Sequence, residues 1–224
     1  LRVFARDGKV AEQTARTIAD RFRIKPRRKA HVPYFHLLAM NGPLMDATPV
    51  QIREKTLRSA ERLALLYGDD FETWEKSLLA TLRTKPTGTV ILRGAPGVGK
   101  TSFIRHLFSR LSRTHRFYYL PTTNFDLLTA PTLVEFWREQ ATLYPNVQKV
   151  VVLEDAESLL ADRTSGDRGA IANLLNIADG LLGDFLRMQL ICSVNCDLHQ
   201  LDPAIVRSGR LLATWDFKRL SKEH

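Results

Sequence analysis

Cysteine is scarce in this chain of 224 residues, which holds only Cys192 and Cys196. Two thiols exclude a disulfide-stapled scaffold, and with no second Cys pair or paired His at ligand spacing they exclude a zinc ribbon. Buried, reduced thiols are the expectation. Long apolar runs are also missing. Nothing approaches the roughly 20 residues that a membrane-crossing helix needs, and no charged stretch followed by an apolar one opens the chain as a signal peptide would. A cytoplasmic setting is expected, for a sequence that starts at Leu1 and so reads as a piece of a longer protein. Internal repeats and low-complexity tracts are not evident either, so nothing in the chain reads as a repeat array.

Acid is in deficit. Lys and Arg number 33 against 24 Asp and Glu, for a net charge of +9. The excess concentrates at residues 21–29, where Arg21, Arg23, Lys25, Arg27, Arg28 and Lys29 meet no carboxylate. Such a block serves nucleic acid, an acidic partner or an anionic membrane surface, or is simply solvated. No aromatics interleave at the spacing of a base-stacking platform.

What is present is more decisive. Residues 94–101 read Gly94-Ala95-Pro96-Gly97-Val98-Gly99-Lys100-Thr101, a complete G-x-x-x-x-G-K-T phosphate loop. It follows the β-rich run Thr89-Val90-Ile91-Leu92 and precedes a segment with Phe103, Ile104, Leu107, Phe108 and Leu111 at helical period. Amides of the glycine-rich turn, Ser102 at the helix start and the positive end of the helix can then surround a polyphosphate. Lys100 is placed to reach the β and γ phosphates, and the Thr101 hydroxyl to ligate Mg²⁺. A nucleoside triphosphate is the expected ligand.

From residue 89 onward strand and helix patterns alternate. Strands are expected near 89–92, 116–120, 149–153, 189–194 and 211–215, with helices near 100–113, 132–143, 168–182 and 203–208. Such alternation predicts a three-layer α/β fold with a five-stranded parallel sheet, its ligands at the carboxyl ends of the strands. Before it, residues 1–47 read as an accessory element or linker, with a strand at Val3-Phe4-Ala5, a helix from Gly8 to Phe22 and three prolines. Residues 48–84 read as a helical lead-in. Thr48-Pro49-Val50-Gln51 has the form of a capping box that starts a helix ending at Tyr67 before Gly68, and Asp70 caps another with Phe71, Trp74, Leu78 and Leu82 on one face. Leu133, Phe136 and Trp137 read as a packing face. His106 and His115 are explained by placement near a helix C-terminus, and Arg163 and Arg168 by a loop that is solvated or meets a neighbour or a pore ligand.

Val150-Val151-Val152-Leu153 runs straight into Glu154-Asp155, so a buried strand delivers two carboxylates beside the loop. One can hold Mg²⁺ and the other polarise an attacking water. Asn195 ends the next apolar strand, either as a turn residue or as an amide that orients that water. Farther on, Leu201-Asp202-Pro203-Ala204-Ile205-Val206-Arg207-Ser208-Gly209-Arg210 places Asp202 as a helix cap and two arginines three residues apart.

This order of motifs, over about residues 85–217, resembles the AAA family of the AAA+ ATPases, and residues 85–224 then form its large subdomain. The resemblance implies ATP as ligand, favoured also by the lack of an N-K-x-D guanine motif. Gly94 to Thr101 would be the Walker A loop, Val150 to Asp155 the Walker B strand and Asn195 sensor 1. Arg207 and Arg210 would be arginine fingers reaching a neighbour's site, which implies a head-to-tail homo-oligomer, a hexameric ring that remodels a protein or assembly. By alignment Glu154 takes the Mg²⁺ role and Asp155 that of catalytic base.

Three departures stand out. The Glu-Asp order inverts the usual one and is similar to the branch that translocates folded Rieske protein in mitochondria. The pore triplet of unfolding members is missing from Asn124 to Pro131, where Phe125 is the one aromatic. The helical lid and its sensor 2 arginine are expected to be absent. A nucleotide-gated switch or nucleic-acid loader with slow hydrolysis is the rival reading.

Overall fold

A computed structural model describes residues 9–14, 33–42, 44–52, 66–68, 70–160 and 186–218. Two units divide the chain, 1–31 and 32–224. In the first, residues 9–14 are helical. The expected strand at Val3-Phe4-Ala5, the basic block 21–29, Arg163, Arg168 and the expected helix 168–182 lie outside the described residues.

The second unit is built on one sheet. Its strands are β1 (Tyr34–Asn41), β2 (Leu44–Gln51), β3 (Gly88–Arg93), β4 (His115–Leu120), β5 (Gln148–Leu153), β6 (Met188–Val194) and β7 (Leu211–Asp216), in the spatial order β2-β1-β4-β5-β6-β3-β7. All neighbours are parallel except the β1–β2 hairpin. The helices are α1 (Asp70–Thr84), α2 (Lys100–Leu111), α3 (Leu133–Leu143), and the short α4 (Glu157–Leu160) and α5 (Pro203–Val206).

The sheet separates two apolar clusters. On one face α1 and α2 press Phe71, Leu78, Phe103 and Leu107 against Val90, Val150 and Val152. On the other α3 sets Phe136 and Trp137 against Tyr118, Val151 and Leu153. Successive valines of β5 therefore face opposite layers, and every residue of β5 and β6 is buried. Burial on both faces is why these strands read as continuous apolar runs rather than alternating ones.

All five expected strands exist, but the count of five does not hold, because β1 and β2 extend the sheet to seven. The capping-box reading of Thr48 to Gln51 is corrected as well, since these residues belong to β2. Pro49 sits opposite His36 in the hairpin register. Proline lacks the N–H that a ladder needs, and β2 lies at the sheet edge, where that loss is tolerated. The overlooked signal was Asn41-Gly42 between apolar runs, with Gly42 at φ 62 as tight hairpin turns require. The boundary set at 47/48 thus falls inside β2. The helix expected from 48 onward is described only at 66–67, where Gly68 follows it.

His106 differs from expectation too. His106 is buried and its Nε2 lies 2.6 Å from Glu75 Oε1 on α1, so a carboxylate partner rather than a helix terminus accounts for it. His115, also buried, does meet a helix end, its Nε2 bonded at 3.0 Å to Leu82 O in the last turn of α1. His36 bonds Phe117 O through Nδ1 at 3.1 Å across the β1–β4 junction. Among the described residues, no helix is long and apolar enough to cross a membrane.

Burial, with the nearby Arg116 charge, holds His36 down from 6.5 to about 4. The unfolded chain binds that proton near pH 6.5 and the folded chain does not, so stability falls as pH drops from about 6.5 to about 4. The loss reaches up to about 3 kcal/mol. Urea midpoints measured from pH 7 to pH 4 should show His36→Gln, which keeps a donor but does not titrate, losing less stability than the parent. Equal losses in the two proteins would rule His36 out as the titrating group.

Candidate nucleotide-binding site

The phosphate loop joins β3 to α2 and is shaped by three glycines in the left-handed region, Gly94 (φ 149), Gly97 (φ 81) and Gly99 (φ 104). Two of them are also crowded. A Cβ on Gly94 would meet Phe217 O at 2.5 Å, and one on Gly99 would meet Tyr67 Oη at 2.5 Å. Tyr67 donates its hydroxyl to Gly99 O at 2.9 Å, tying the segment before α1 to the loop. Pro96 and Gly97 are exposed, Ala95 and Val98 half-buried, and α2 then begins at Lys100 with Thr101 exposed and Ser102 half-buried.

Lys100 is the centre of the site. Only 6% exposed, its ammonium donates to Gly94 O at 2.6 Å, Ala95 O at 3.1 Å and Asn195 Oδ1 at 2.7 Å. Burial lowers its pKa from the ordinary lysine value, against the opposing pull of Asp155, Glu157 and Glu154. Asn195 is oriented from both sides, because its Nδ2 donates to Asp155 Oδ1 at 3.3 Å and Glu157 Oε1 at 2.9 Å.

Strand order explains the meeting. β6 lies between β3 and β5, so its end brings Asn195 between the loop and the acids. Register pairs Arg93 with Val194 and Leu153 with Cys192, which levels the three carboxyl ends. Ser193 Oγ accepts from Asp155 N at 3.0 Å, and Ser193 O from Ala156 N at 2.9 Å. These bonds hold Asp155 at φ 49, a left-handed conformation that an aspartate tolerates and most residues do not.

Glu154 faces elsewhere. Together with Thr101, Arg105 and Tyr119 it lines an open cavity of about 210 Å³ whose apolar walls are Phe35, Ile52, Ile104 and Phe108. Its Oε1 is buried without a hydrogen-bond partner. Burial raises the Tyr119 pKa, and the charges of Glu154 and Asp155 add to that rise. A second cavity, of about 370 Å³, is lined by Tyr67, Gly68, Asp70, Trp215, Asp216 and Lys218. It adjoins the loop through Tyr67.

The structure thus brings Lys100, Asn195, Glu154 and Asp155 to one edge. The bonds among Lys100, Asn195, Asp155 and Glu157 involve neither candidate arginine. Arg207 follows α5 and is exposed, whereas Arg210 is half-buried and its Nη1 donates to Ala204 O at 3.1 Å. Asp202 caps α5 by accepting from Ala204 N at 2.8 Å, as expected. Phe125 lies in a 3₁₀ segment, Thr122–Thr129, and packs half-buried against the core. Cys192 is buried, its thiol pushed up to about 12 by burial, but Cys196 is half-buried.

Three participants were missed from the sequence: Glu157, Ser193 and Tyr67. Glu157 was legible as the third acid after β5, at the start of a helical turn. Ser193 reads from the sequence only as one residue of the strand expected at 189–194. Tyr67 had no local signal, because its partner lies 32 residues away.

A mostly parallel sheet flanked by helices, with a glycine-rich loop opening a helix at its carboxyl edge, defines a P-loop nucleotide-binding fold. Residues 90–219, more than half of the chain, match the ATPase family associated with various cellular activities (AAA), and the chain belongs to that family. It is therefore an ATPase module of the nucleotide-binding kind. No curated protein matches the chain.

The loop's glycines are not equivalent. Ala at position 97 meets open space and should lose only the about 1–2 kcal/mol of a left-handed alanine. Ala at position 99 adds the collision with Tyr67, so Gly99→Ala should melt at a clearly lower temperature than Gly97→Ala. Matching thermal midpoints would show that Tyr67 moves aside without cost.

Proposed function

We propose that this module binds ATP with Mg²⁺ at residues 94–102, hydrolyses it, and acts in a head-to-tail ring that remodels a protein or assembly. The observation that carries the reading is the chain of bonds from Lys100 through Asn195 to Asp155 and Glu157. It joins a phosphate-binding cation to the groups that handle water.

In this reading the loop amides and Lys100 hold the β and γ phosphates, with Lys100 exchanging carbonyl partners for phosphate oxygens. The base is assigned to the cavity beside Tyr67, where Trp215 offers an aromatic wall and an indole N–H that is buried without a partner. Thr101 and Glu154 fit Mg²⁺, since a hydroxyl and an orphaned carboxylate oxygen on one cavity are the hard donors it prefers. Among the described residues no cluster of three His, Cys, Asp or Glu is set for a metal. A site that shares its ion with phosphate oxygens needs no such cluster. Bound there, Mg²⁺ would neutralise charge on the transferred phosphoryl.

Asp155 takes the role of base toward the attacking water, and Asn195 orients that water. Exposed Arg207, with Arg210, serves a neighbouring subunit's site, where guanidinium groups stabilise the transition state by about 10³ to 10⁵ in rate. The rival reading is a nucleotide-gated switch with slow turnover. It draws support from Asp155, whose short side chain is restrained by Asn195 in a left-handed backbone.

Two outcomes are expected. Lys100→Ala should lose ATP binding altogether, while Asp155→Asn should bind ATP with near-parental affinity and lose turnover by about 10² or more, read by calorimetry and phosphate release. Full turnover in Asp155→Asn would remove that residue from the role of base. For the ring, turnover per subunit should rise with protein concentration, and Arg207→Ala or Arg210→Ala should cut it by about 10³. Activity independent of concentration and of both arginines would support a monomeric site, and a parent that binds without turnover would support the switch.

A further inference from the structure

Arg93 is the last residue of β3 and stands immediately before Gly94. Its guanidinium forks to two segments at once, Nη1 to Asp197 Oδ1 at 2.7 Å in the turn after β6 and Nη2 to Asp216 Oδ2 at 2.7 Å at the end of β7. Its carbonyl accepts from Phe217 N at 2.7 Å. Asp197 lies two residues beyond Asn195 and opens a 3₁₀ turn, Leu198–Gln200. It caps that turn through its carboxylate, while Gln200 Oε1 accepts from Asp197 N at 3.0 Å. The chain then runs through Asp202 and α5 to Arg207. Asp216, on the other arm, lines the larger cavity.

We propose that Arg93 is a positioning residue that registers the Asn195 segment against the phosphate loop, an inference that rests on the nucleotide site proposed above. A planar fork with two parallel donors can hold two carboxylates in fixed directions, which the single ammonium of lysine cannot. The side chains remain partly exposed, at 28%, 59% and 46% for Arg93, Asp197 and Asp216. Pairs so exposed add little to stability. Their consequence is geometric. Displacing Asn195 by a fraction of an ångström affects chemistry far more than ground-state binding.

The test compares the full chain with Arg93→Ala, Arg93→Lys and Asp197→Asn. Asparagine caps a turn as well as aspartate does, so Asp197→Asn removes the ion pair and leaves the turn intact even where Arg93→Ala fails to fold. Hydrogen exchange with and without magnesium ATPγS should show protection of residues 94–101 in the parent, in Arg93→Lys and in Asp197→Asn. Protection of 195–202 should appear in the parent alone. In steady state Arg93→Lys and Asp197→Asn should lower kcat by about tenfold or more with KM within about threefold. Retained protection of 195–202 and parental kcat in Asp197→Asn would overturn this role for Arg93 while leaving the nucleotide site standing. No protection of 94–101 in the parent would overturn the nucleotide site, and this inference with it.

Discussion

A buried ammonium is costly to keep charged, and the carboxyl edge of this sheet is arranged around one. Lys100 has left water, its pKa pulled down by burial, and what keeps it protonated is a set of oxygens it did not choose locally. Two are carbonyls of its own loop and one belongs to Asn195, with the charges of Asp155, Glu157 and Glu154 behind them. The glycines at 94, 97 and 99 exist in their left-handed conformations because only such a turn folds carbonyls back onto the lysine. Asn195 is oriented because one end of its amide must accept from an ammonium, leaving the other to donate to carboxylates.

That requirement explains the order of strands at the centre. The asparagine reaches both the loop and the acids only if β6 lies between β3 and β5, and the register of the three strands levels their ends. Around them the design is economical. Ser193 fixes Asp155, Tyr67 fixes Gly99, and Arg93 ties β3 to the turn after β6 and to β7. Each of these supports acts on backbone or on a short side chain. In the reading proposed above, that stiffness would let the lysine trade carbonyl oxygens for phosphate oxygens without the loop collapsing.

The AAA family match and the fold establish an ATPase module. The site adds chemical detail to this through its asymmetry. Glu154 and Asp155 are adjacent in sequence yet serve different surroundings, one turned to a cavity shared with Thr101, the other to Asn195. Two carboxylates in different environments are how one site can hold a cation with one acid and move a proton with the other.

The loop, the helix that follows it and the five strands from residue 88 onward were legible in the sequence, because each is encoded by neighbours within about eight residues: glycine spacing, apolar period, and an acid pair at a strand end. The capping of α5 by Asp202 was legible for the same reason. Where local signals conflicted, the local reading failed. Thr48 to Gln51 carries the letters of a helix start, yet an edge position in the sheet made its proline acceptable in a strand. The contacts that make the site were decided only by tertiary structure. Lys100 and Asn195 are 95 residues apart, Arg93 and Asp197 104, and nothing in the intervening letters records which strand slides between which. That choice is made by burying both faces of the sheet at once, a property of the whole chain and not of any segment.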